Sequence, residues 1–295
     1  MEKKLLVIVG PTASGKSKLA VFLAKKFNGE VVSADSRQVY KYLDIGSGKI
    51  TKKEMEGIPH HLLDVANPKR KFTVAQYQKL AQKAIEKIME KKKLPILCGG
   101  SGFYIKAVIE GLQIPKVPPD WKFRKKLEKK SAKELYEKLK KLDPERAKTI
   151  DPKNKRRLIR ALEIIKKLKK VPKLKKIPPP YKILIIGIKK SKKQLKILIK
   201  KRLKKRLKKG LIAEVKKLRK YGLSFKRLKE FGLEYKWVAL YLEKKISYQE
   251  MVKNLLKDIE RFAKKQISFF KKLKGVKWVK NYKEAQNLVR RFLLS

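Results

Sequence analysis

A short segment near the beginning of the chain has the residue types and spacing of a phosphate-binding loop. The segment matches the pattern G-x-x-x-x-G-K-[S/T] at Gly10, Gly15, Lys16 and Ser17. Glycines allow the backbone to wrap so that its N–H groups point at phosphate oxygens, and the helix that should follow adds a positive dipole. Lys16 supplies a charge to the terminal phosphates, and the hydroxyl of Ser17 is placed to bind Mg²⁺. The segment therefore predicts that the protein acts on a phosphorylated small molecule.

An aspartate at the end of the next predicted strand is the second candidate for chemistry. P-loop proteins that hydrolyse nucleotides carry an apolar strand ending in Asp or Glu, which holds Mg²⁺ and helps to orient water. The corresponding strand here, residues 96–100, ends in glycines. Asp35 ends a neighbouring strand and should face the same crevice as the loop, where it could bind metal, act as a general base or cap a helix. This pattern favours transfer to an acceptor over hydrolysis of a nucleotide.

The elements that must position these residues follow from the apolar pattern. Short apolar runs predict three strands, at residues 5–9, 31–35 and 94–100. Apolar residues at helical spacing predict a helix at 18–27, and Thr73 and Gln76 have the spacing of a capping box, so another helix should begin there. Strands that alternate with helices indicate an α/β fold, here a P-loop NTPase-like parallel sheet flanked by helices.

The composition and apolar pattern of the sequence change after residue 111. Prolines at 115, 118 and 119 interrupt the chain, and residues 120–170 are charged, with leucines at helical spacing. A second proline cluster closes this stretch, and the apolar run at 181–188 predicts that the sheet resumes there. From residue 190 the chain reads as helical and basic, with one further short strand near 276–279.

These changes predict two parts. The first is a P-loop α/β core formed by residues 1–114 and 179–295, the second segment supplying the basic helical C-terminal part. The second is a helical insertion subdomain at residues 115–178.

The charge of the chain is strongly one-sided. Among 295 residues, Lys and Arg total 83 and Asp and Glu total 26, which gives a net charge of +57. Self-repulsion of this size favours a polyanionic partner, and contact with phosphates would make binding sensitive to salt. A lysine-rich solvated surface, as in heat-adapted proteins, is the alternative. Charge therefore indicates nucleic-acid binding without specifying the nucleic acid.

Other features of the sequence disfavour several classes of protein. No stretch approaches the roughly 18 to 20 apolar residues of a membrane-spanning helix, and the run at 5–9 is too short for a signal peptide, so we expect a cytoplasmic protein without membrane contact. The single cysteine, Cys98, excludes an internal disulfide and should lie in the core. His60 and His61 are adjacent, so we expect structural hydrogen bonds in a loop rather than a metal site.

Six ordered segments carry a resemblance to a known family. They are GPTASGKS at 10–17, SADSRQVY at 33–40, DIGSGKIT at 44–51, GIPHHLLD at 57–64, GGSGFYI at 99–105 and RLIRALE at 157–163. Together they resemble the tRNA dimethylallyltransferase family. The resemblance implies transfer of a dimethylallyl group from its diphosphate to N6 of the adenosine just 3′ of the tRNA anticodon. Its partners would be dimethylallyl diphosphate and the anticodon stem-loop of tRNA, its cofactor would be Mg²⁺, and we expect a monomer.

The same resemblance implies roles for individual residues in the transfer. The loop would grip the diphosphate leaving group through Gly10, Pro11, Thr12, Ala13, Ser14, Gly15, Lys16 and Ser17. Lys16 would stabilise the charge that develops on the diphosphate. Asp35 matches the catalytic aspartate of the family and would accept a proton from the attacking amine. Thr12 matches a threonine that helps to orient donor and acceptor, and Arg202 lies where the family places an arginine that contacts the diphosphate.

The resemblance also implies which residues contact tRNA. They are Asp35, Ser36, Arg37, Gln38, Ser101, Arg124, Arg156, Arg157, Leu158, Ile159 and Arg160. Arg157 and Arg160 lie three positions apart, on one face of a predicted helix, which suits contact with successive phosphates. The target base would be flipped out of the anticodon loop, because N6 of a stacked base cannot be reached.

Two other functions account for part of the sequence. A P-loop kinase of a nucleoside or small metabolite, with Asp35 as the base for an acceptor hydroxyl, explains residues 1–110 equally well, but not the insertion or the charge. A basic nucleic-acid-binding protein with a vestigial nucleotide site would explain the charge, but the intact Lys16, Ser17 and Asp35 speak against it.

Overall fold

The computed structural model describes residues 2–295 and contains one six-stranded sheet. Its strands are β1 (Lys4–Val9), β2 (Gly29–Ala34), β3 (His60–His61), β4 (Leu94–Gly99), β5 (Lys182–Ile188) and β6 (Val276–Val279). The strand order is β3-β2-β4-β1-β5-β6, and every adjacent pair is parallel. The structure confirms the predicted parallel α/β sheet.

Three neighbouring strands end level with one another. Val9 of β1 pairs with Gly99 of β4, and Gly99 also pairs with Ala34 of β2. The loops that follow these strands therefore leave the same edge of the sheet side by side, where ligands bind in open parallel sheets. A glycine is required at position 99, because an added Cβ would lie 2.1 Å from the carbonyl oxygen of Ala34.

Both faces of the sheet are covered by apolar side chains. Along β1, alternate residues join two different hydrophobic clusters: Leu5, Val7 and Val9 in one, Leu6 and Ile8 in the other. All five are inaccessible to solvent. A strand that is buried on both faces reads as a continuous apolar run, which is why the sequence predicts it so directly.

The helices of the described chain vary from one turn to more than six turns. Up to the insertion they are α1 (Lys16–Lys26), α2 (Lys52–Met55), α3 (Val74–Glu90) and α4 (Gly102–Ile109). The insertion contains α5 (Trp121–Glu128), α6 (Ala132–Leu142), α7 (Pro144–Thr149) and α8 (Lys155–Leu168). The C-terminal part contains α9 (Lys192–Lys208), α10 (Leu211–Lys220), α11 (Phe225–Phe231), α12 (Leu233–Leu242), α13 (Tyr248–Lys271) and α14 (Tyr282–Leu294). The capping box predicted at Thr73 and Gln76 is present at the start of α3.

The chain divides into two compact units. One unit combines the residues up to Glu110 with Pro178–Ser295, and the other is Gly111–Ile177. The first unit contains the whole sheet. The helical segment expected at 115–178 falls, except for its last residue, in the second unit.

The second unit is a small helical body with its own core. Its helices begin after side chains that accept a hydrogen bond from the first turn: Asp120, Ser131, Asp143 and Asn154. Its hydrophobic cluster draws on all four helices and includes Leu127, Leu135, Ala147 and Leu158. Such capping helps to explain why α5, α6 and α7 form helices, since each of them buries only one or two apolar residues.

The adjacent histidines correct one expectation. His60 and His61 are not in a loop but form β3, which pairs with Val31 and Val32 of β2. The predicted structural hydrogen bonds are present: His60 Nδ1 lies 2.8 Å from the carbonyl oxygen of Ile58. Two residues are too short a run for periodicity to reveal, so pairing with β2 decides their conformation.

Helix α13 is the longest helix of the C-terminal part. Its buried stripe consists of Met251, Leu255, Ile259, Ala263, Gln266 and Phe270, spaced three or four residues apart. Gln266 is the one polar member of that stripe. No helix of residues 2–295 combines the length and apolar character that crossing a membrane requires.

Candidate active site

The predicted phosphate-binding loop connects β1 to α1 at the carboxyl edge of the sheet. Gly15 caps α1 with a φ of 94°, a left-handed conformation that glycine adopts without strain. The first N–H groups of α1 have no acceptor within the helix, so they are available to an anion. The hydroxyl of Ser14 is buried and has no hydrogen-bond partner in the described residues. A buried donor without a partner fits a loop that closes around phosphate oxygens.

Lys16 folds back over this loop. Its Nζ donates a hydrogen bond to the carbonyl oxygen of Pro11 at 2.8 Å. Burial lowers the pKa of Lys16 to about 8; Arg202 also lowers it, while Cys98 and Asp35 act in the opposite direction. The lysine therefore lies within electrostatic reach of both Asp35 and Arg202.

Asp35 follows β2 directly and lies half-buried beside the loop. Its Oδ1 accepts hydrogen bonds from the backbone N–H of Arg37 at 2.8 Å and of Gln38 at 3.3 Å. The carboxylate therefore does cap a local turn, but not a helix. Because the turn engages Oδ1, Oδ2 is left as the oxygen that can accept a proton.

The segment after Asp35 is tied to the segment after β4. Ser101 accepts, through its Oγ, a hydrogen bond from the backbone N–H of Ser36 at 2.8 Å, and its own N–H donates to Ala34 at 3.1 Å. Cys98, near the end of β4, is buried as expected, and burial raises the pKa of its thiol to about 12. Ser36 and Ser101, both predicted to contact tRNA, are thus joined by a hydrogen bond next to Asp35.

Arg202 reaches the loop from α9. Its Nη1 donates to Oγ1 of Thr12 at 2.9 Å, so the structure joins two residues predicted as catalytic. Burial lowers the pKa of Arg202 to about 10, and the charge of Arg206 contributes in the same direction. Arg206 is itself paired with Glu234. Of the two neighbouring arginines, Arg202 and Arg206, Arg202 is therefore the one that contacts the loop.

Arg37 and Gln38 are engaged in contacts within the protein. Nε of Arg37 donates to the carbonyl oxygen of Phe231 at 2.6 Å. Nε2 of Gln38 donates to the carbonyl oxygen of Gly48 at 3.1 Å, and its Oε1 accepts from Ser33 Oγ at 3.3 Å. Both side chains hold the segment that carries Asp35 in place. Arg37 and Gln38 would therefore meet tRNA with their side chains already oriented.

The remaining residues predicted to contact tRNA belong to the second unit. Arg124 and Arg160 both pair with the buried carboxylate of Glu163, at 2.6 and 2.5 Å. Arg156 and Arg157 are exposed on α8. These two arginines are the ones whose charges are open to a phosphate.

Leu158 and Ile159 differ from their neighbours on α8. Both are buried in the core of the second unit, with 0% and 6% of their surface exposed. Their side chains therefore serve packing, and the basic segment of the sequence motif alternates between exposed and buried positions as a helix requires.

Sequence reasoning missed Gln266. Its Oε1 accepts from the N–H of Thr12 at 2.8 Å, and its Nε2 donates to the carbonyl oxygen of Gly100 at 2.8 Å. A polar residue on the apolar stripe of α13 was the available signal, because a buried amide requires partners.

The fold and the loop define a P-loop protein of the α/β class. The carboxylate of Asp35, which follows β2, lies within electrostatic reach of Lys16 and Arg202. This combination can hold a polyphosphate group and accept a proton from a nucleophile next to it.

Comparison with known proteins identifies the family. The model of the IPP transferase family matches residues 38–273. A tRNA dimethylallyltransferase from Caldanaerobacter subterraneus subsp. tengcongensis is 42% identical over 301 residues, covering 98% of this chain and 96% of the relative. One from Acetivibrio thermocellus is also 42% identical, over 93% of this chain and 91% of the relative. The chain belongs to the IPP transferase family.

Solved structures agree with this assignment. The full-length tRNA isopentenylpyrophosphate transferase of Bacillus halodurans aligns with a TM-score of 0.75 at 37% identity, over 99% of this chain and 96% of the other. A eukaryotic dimethylallyltransferase acting on tRNA aligns with a TM-score of 0.81 at 27% identity, over 99% of this chain and 78% of the other.

Proposed function

We propose that this enzyme is a tRNA prenyltransferase that moves a dimethylallyl group from its diphosphate to N6 of the adenosine 3′ of the anticodon. The observation that carries the proposal is the placement of Lys16, Arg202 and Asp35 around one loop at the carboxyl edge of the sheet. Curated relatives named tRNA dimethylallyltransferase match the chain over nearly its full length, which supports the proposal.

The loop and two cations account for the leaving group. The N–H groups at the start of α1, Lys16 and Arg202 would surround the diphosphate and stabilise the charge that it gains as the bond to carbon breaks. The bond between C1 of the dimethylallyl group and the diphosphate oxygen breaks, and its electron pair leaves with the diphosphate. Thr12 holds Arg202 in place for this step through their hydrogen bond.

Asp35 accounts for the acceptor. The N6 amine forms the new bond to C1 and must lose a proton, which Oδ2 of Asp35 would accept as a general base. The turn that engages Oδ1 fixes the direction of the carboxylate. For the amine to reach C1, the base must leave the stack of the anticodon loop.

Mg²⁺ is the proposed cofactor. Magnesium takes few protein ligands and usually binds through phosphate oxygens and water. The hydroxyl of Ser17, exposed at the start of α1, is the protein ligand that the motif provides. When bound, the ion would neutralise charge on the diphosphate. Since one chain supplies the loop, both cations and the base, a monomer is the proposed functional state.

The reaction itself tests the proposal. Purified protein is incubated with unmodified tRNA and dimethylallyl diphosphate labelled in the prenyl group, or with labelled ATP. We expect prenyl label on the tRNA and none from ATP. A matched tRNA with guanosine in place of the adenosine has no N6 amine and should remain unlabelled. Label from ATP alone, or none from either donor, would contradict the proposal and favour the kinase or the binding protein.

A further inference from the structure

One side chain on α13 joins two loops of the candidate site. Gln266 is buried, with 6% of its surface exposed, and both ends of its amide are used. The Oε1 atom accepts from the N–H of Thr12, and Nε2 donates to the carbonyl oxygen of Gly100, each at 2.8 Å. The two loops follow β1 and β4, which are adjacent in the sheet.

Each of the two loops carries a different part of the chemistry. Thr12 accepts the hydrogen bond of Arg202, on the side of the diphosphate. Gly100 precedes Ser101, whose hydroxyl accepts from the N–H of Ser36, next to Asp35. A single amide therefore connects the group that would hold the donor with the group that would hold the base.

The helix that carries Gln266 is anchored at the same place. One turn further along α13, the ring of Phe269 lies so close to Gly102 that an added Cβ there would be 2.3 Å from the ring. Contacts at positions 266 and 269 thus hold the helix face against the loop after β4. The amide is presented to the two loops from a rigid element.

Glutamine is suited to this position by its chemistry. It supplies one acceptor and one donor in a single planar group. A methionine of similar size would leave the N–H of Thr12 and the carbonyl oxygen of Gly100 without partners in a buried setting. A glutamate would bring a second acceptor toward Gly100 and a negative charge near Lys16, whose Nζ is 3.8 Å from the Cβ position of that glycine.

We propose that Gln266 is a positioning residue that fixes the phosphate-binding loop relative to the segment holding Asp35, acting through Thr12 and Gly100. The inference rests on the proposed function for its kinetic consequence. The effect of Gln266 on the phosphate-binding loop does not depend on the prenyl group, so inorganic pyrophosphate can serve as the probe.

The test compares Gln266→Met with Gln78→Met. Nε2 of Gln78 also donates to a backbone carbonyl, that of Ala107, at 2.8 Å, which makes it a matched control outside the site. Because two buried groups lose their partners, we expect Gln266→Met to weaken pyrophosphate binding on the order of tenfold, measured by calorimetry. In the prenylation assay kcat should fall by about as much, while the KM for tRNA stays within about twofold. Gln78→Met should alter none of these quantities.

A second variant makes the test independent of packing. Gln266→Glu keeps the volume of the side chain, and its carboxylate should weaken pyrophosphate binding further than methionine does, because it repels the anion. Wild-type pyrophosphate affinity and kcat in either folded variant would overturn the inference. It would also be overturned if neither variant folded, since Gln266 would then serve the fold as a whole. Absence of prenylation by the wild-type protein would refute the proposed function, yet the pyrophosphate measurements would still decide the role of Gln266.

Discussion

Nη1 of Arg202 and Oγ1 of Thr12 are joined by a 2.9 Å hydrogen bond across 190 positions of sequence. The bond brings a guanidinium from α9 to the loop between β1 and α1. Burial and the neighbouring Arg206 lower the pKa of Arg202 to about 10, so an arriving anion would relieve both effects. The loop and the arginine should therefore act on a diphosphate as one unit.

A double-mutant cycle measures this coupling. Thr12→Ala removes the acceptor, and Arg202→Lys keeps the charge but loses the guanidinium geometry. For pyrophosphate binding we expect an interaction energy of about 1 to 2 kcal/mol between the two substitutions. Thr12→Ala combined with Arg219→Lys is the control, because Arg219 bonds the carbonyl oxygen of Leu223 instead. Additivity in the first pair would show that the bond has no part in binding the anion.

The pKa of Lys16 makes binding depend on pH. Since burial lowers it to about 8, the ammonium is present below that pH and is lost as the pH rises through it. Pyrophosphate affinity should accordingly decline above pH 8. Calorimetry between pH 6.5 and 9.5 on the wild type and on Lys16→Arg separates this effect from titration of the ligand, because arginine stays charged. Identical pH profiles for the two proteins would contradict the assignment.

Asp35→Asn tests the general base. Asparagine keeps an oxygen for the turn to Arg37 but cannot accept the proton, so turnover should fall on the order of 100-fold or more. The affinity for tRNA should stay within about twofold. Asp151→Asn is the matched control, since its Oδ1 also accepts from the N–H two residues later, at 3.0 Å. A loss of tRNA binding with unchanged single-turnover chemistry would assign Asp35 a binding role instead.

Two arginines of α8 should behave differently when replaced by glutamine. Arg157 is exposed, so Arg157→Gln should weaken tRNA binding a few-fold and reduce the slope of log affinity against log salt by about 1. Arg160 supports the buried Glu163, so Arg160→Gln should lower the free energy of unfolding by about 1 to 3 kcal/mol. Salt titrations and urea unfolding measure the two effects. If Arg157→Gln lowered the free energy of unfolding and Arg160→Gln weakened tRNA binding instead, the roles assigned to these two arginines would be wrong.

Glu30 should stabilise the fold in a pH-dependent way. Burial alone would raise its pKa, but hydrogen bonds from His61, Lys93 and Lys91 lower it from 4.5 to about 2. The stabilisation is therefore complete above pH 4.5 and is lost as the pH falls toward 2. Glu30→Gln should reduce the free energy of unfolding at pH 7 by about 2 to 3 kcal/mol, and the difference should shrink in acid.

An exposed ion pair provides the comparison for Glu30. Glu56 pairs with Lys25 at 2.6 Å, but its side chain is 54% exposed. Glu56→Gln should change the free energy of unfolding by less than about 1 kcal/mol. Urea unfolding at pH 7, 4 and 3 tests both variants, and a pH-independent deficit in Glu30→Gln would point to packing rather than charge.

Most of the sheet can be predicted from sequence because β1, β4 and β5 are nearly continuous apolar runs. β1, β4 and β5 were predicted within a residue or two of their observed bounds, as was β6. His60 and His61 were not recognised as a strand, since their extended conformation depends on Val31 and Val32, which lie far away in sequence. Local pattern reveals elements with their own periodicity and misses those that exist through a partner.

The candidate site was predictable where it is contiguous. The loop at 10–17 carries its chemistry within one motif, and Asp35 follows from its position at a strand end. The apolar stripe of α13 marks Gln266 as a buried amide, but neither its partners nor those of Glu214 can be read from local pattern, because each side chain bonds a loop distant in sequence. The carboxylate of Glu214 accepts from the N–H groups of Asp44, Ile45 and Gly46, and no spacing indicates that pairing.

The bond between Thr12 and Gln266 spans 254 positions, and this has a consequence for synthesis of the protein. The phosphate-binding loop is synthesised well before α13, so it leaves the ribosome first. A chain that ends before α13 therefore carries a complete Gly10–Ser17 motif but lacks the Gln266 amide that bonds the loop at Thr12. Full binding of diphosphate should begin only after α13 has been synthesised, so chains that end before it would compete poorly for the substrate.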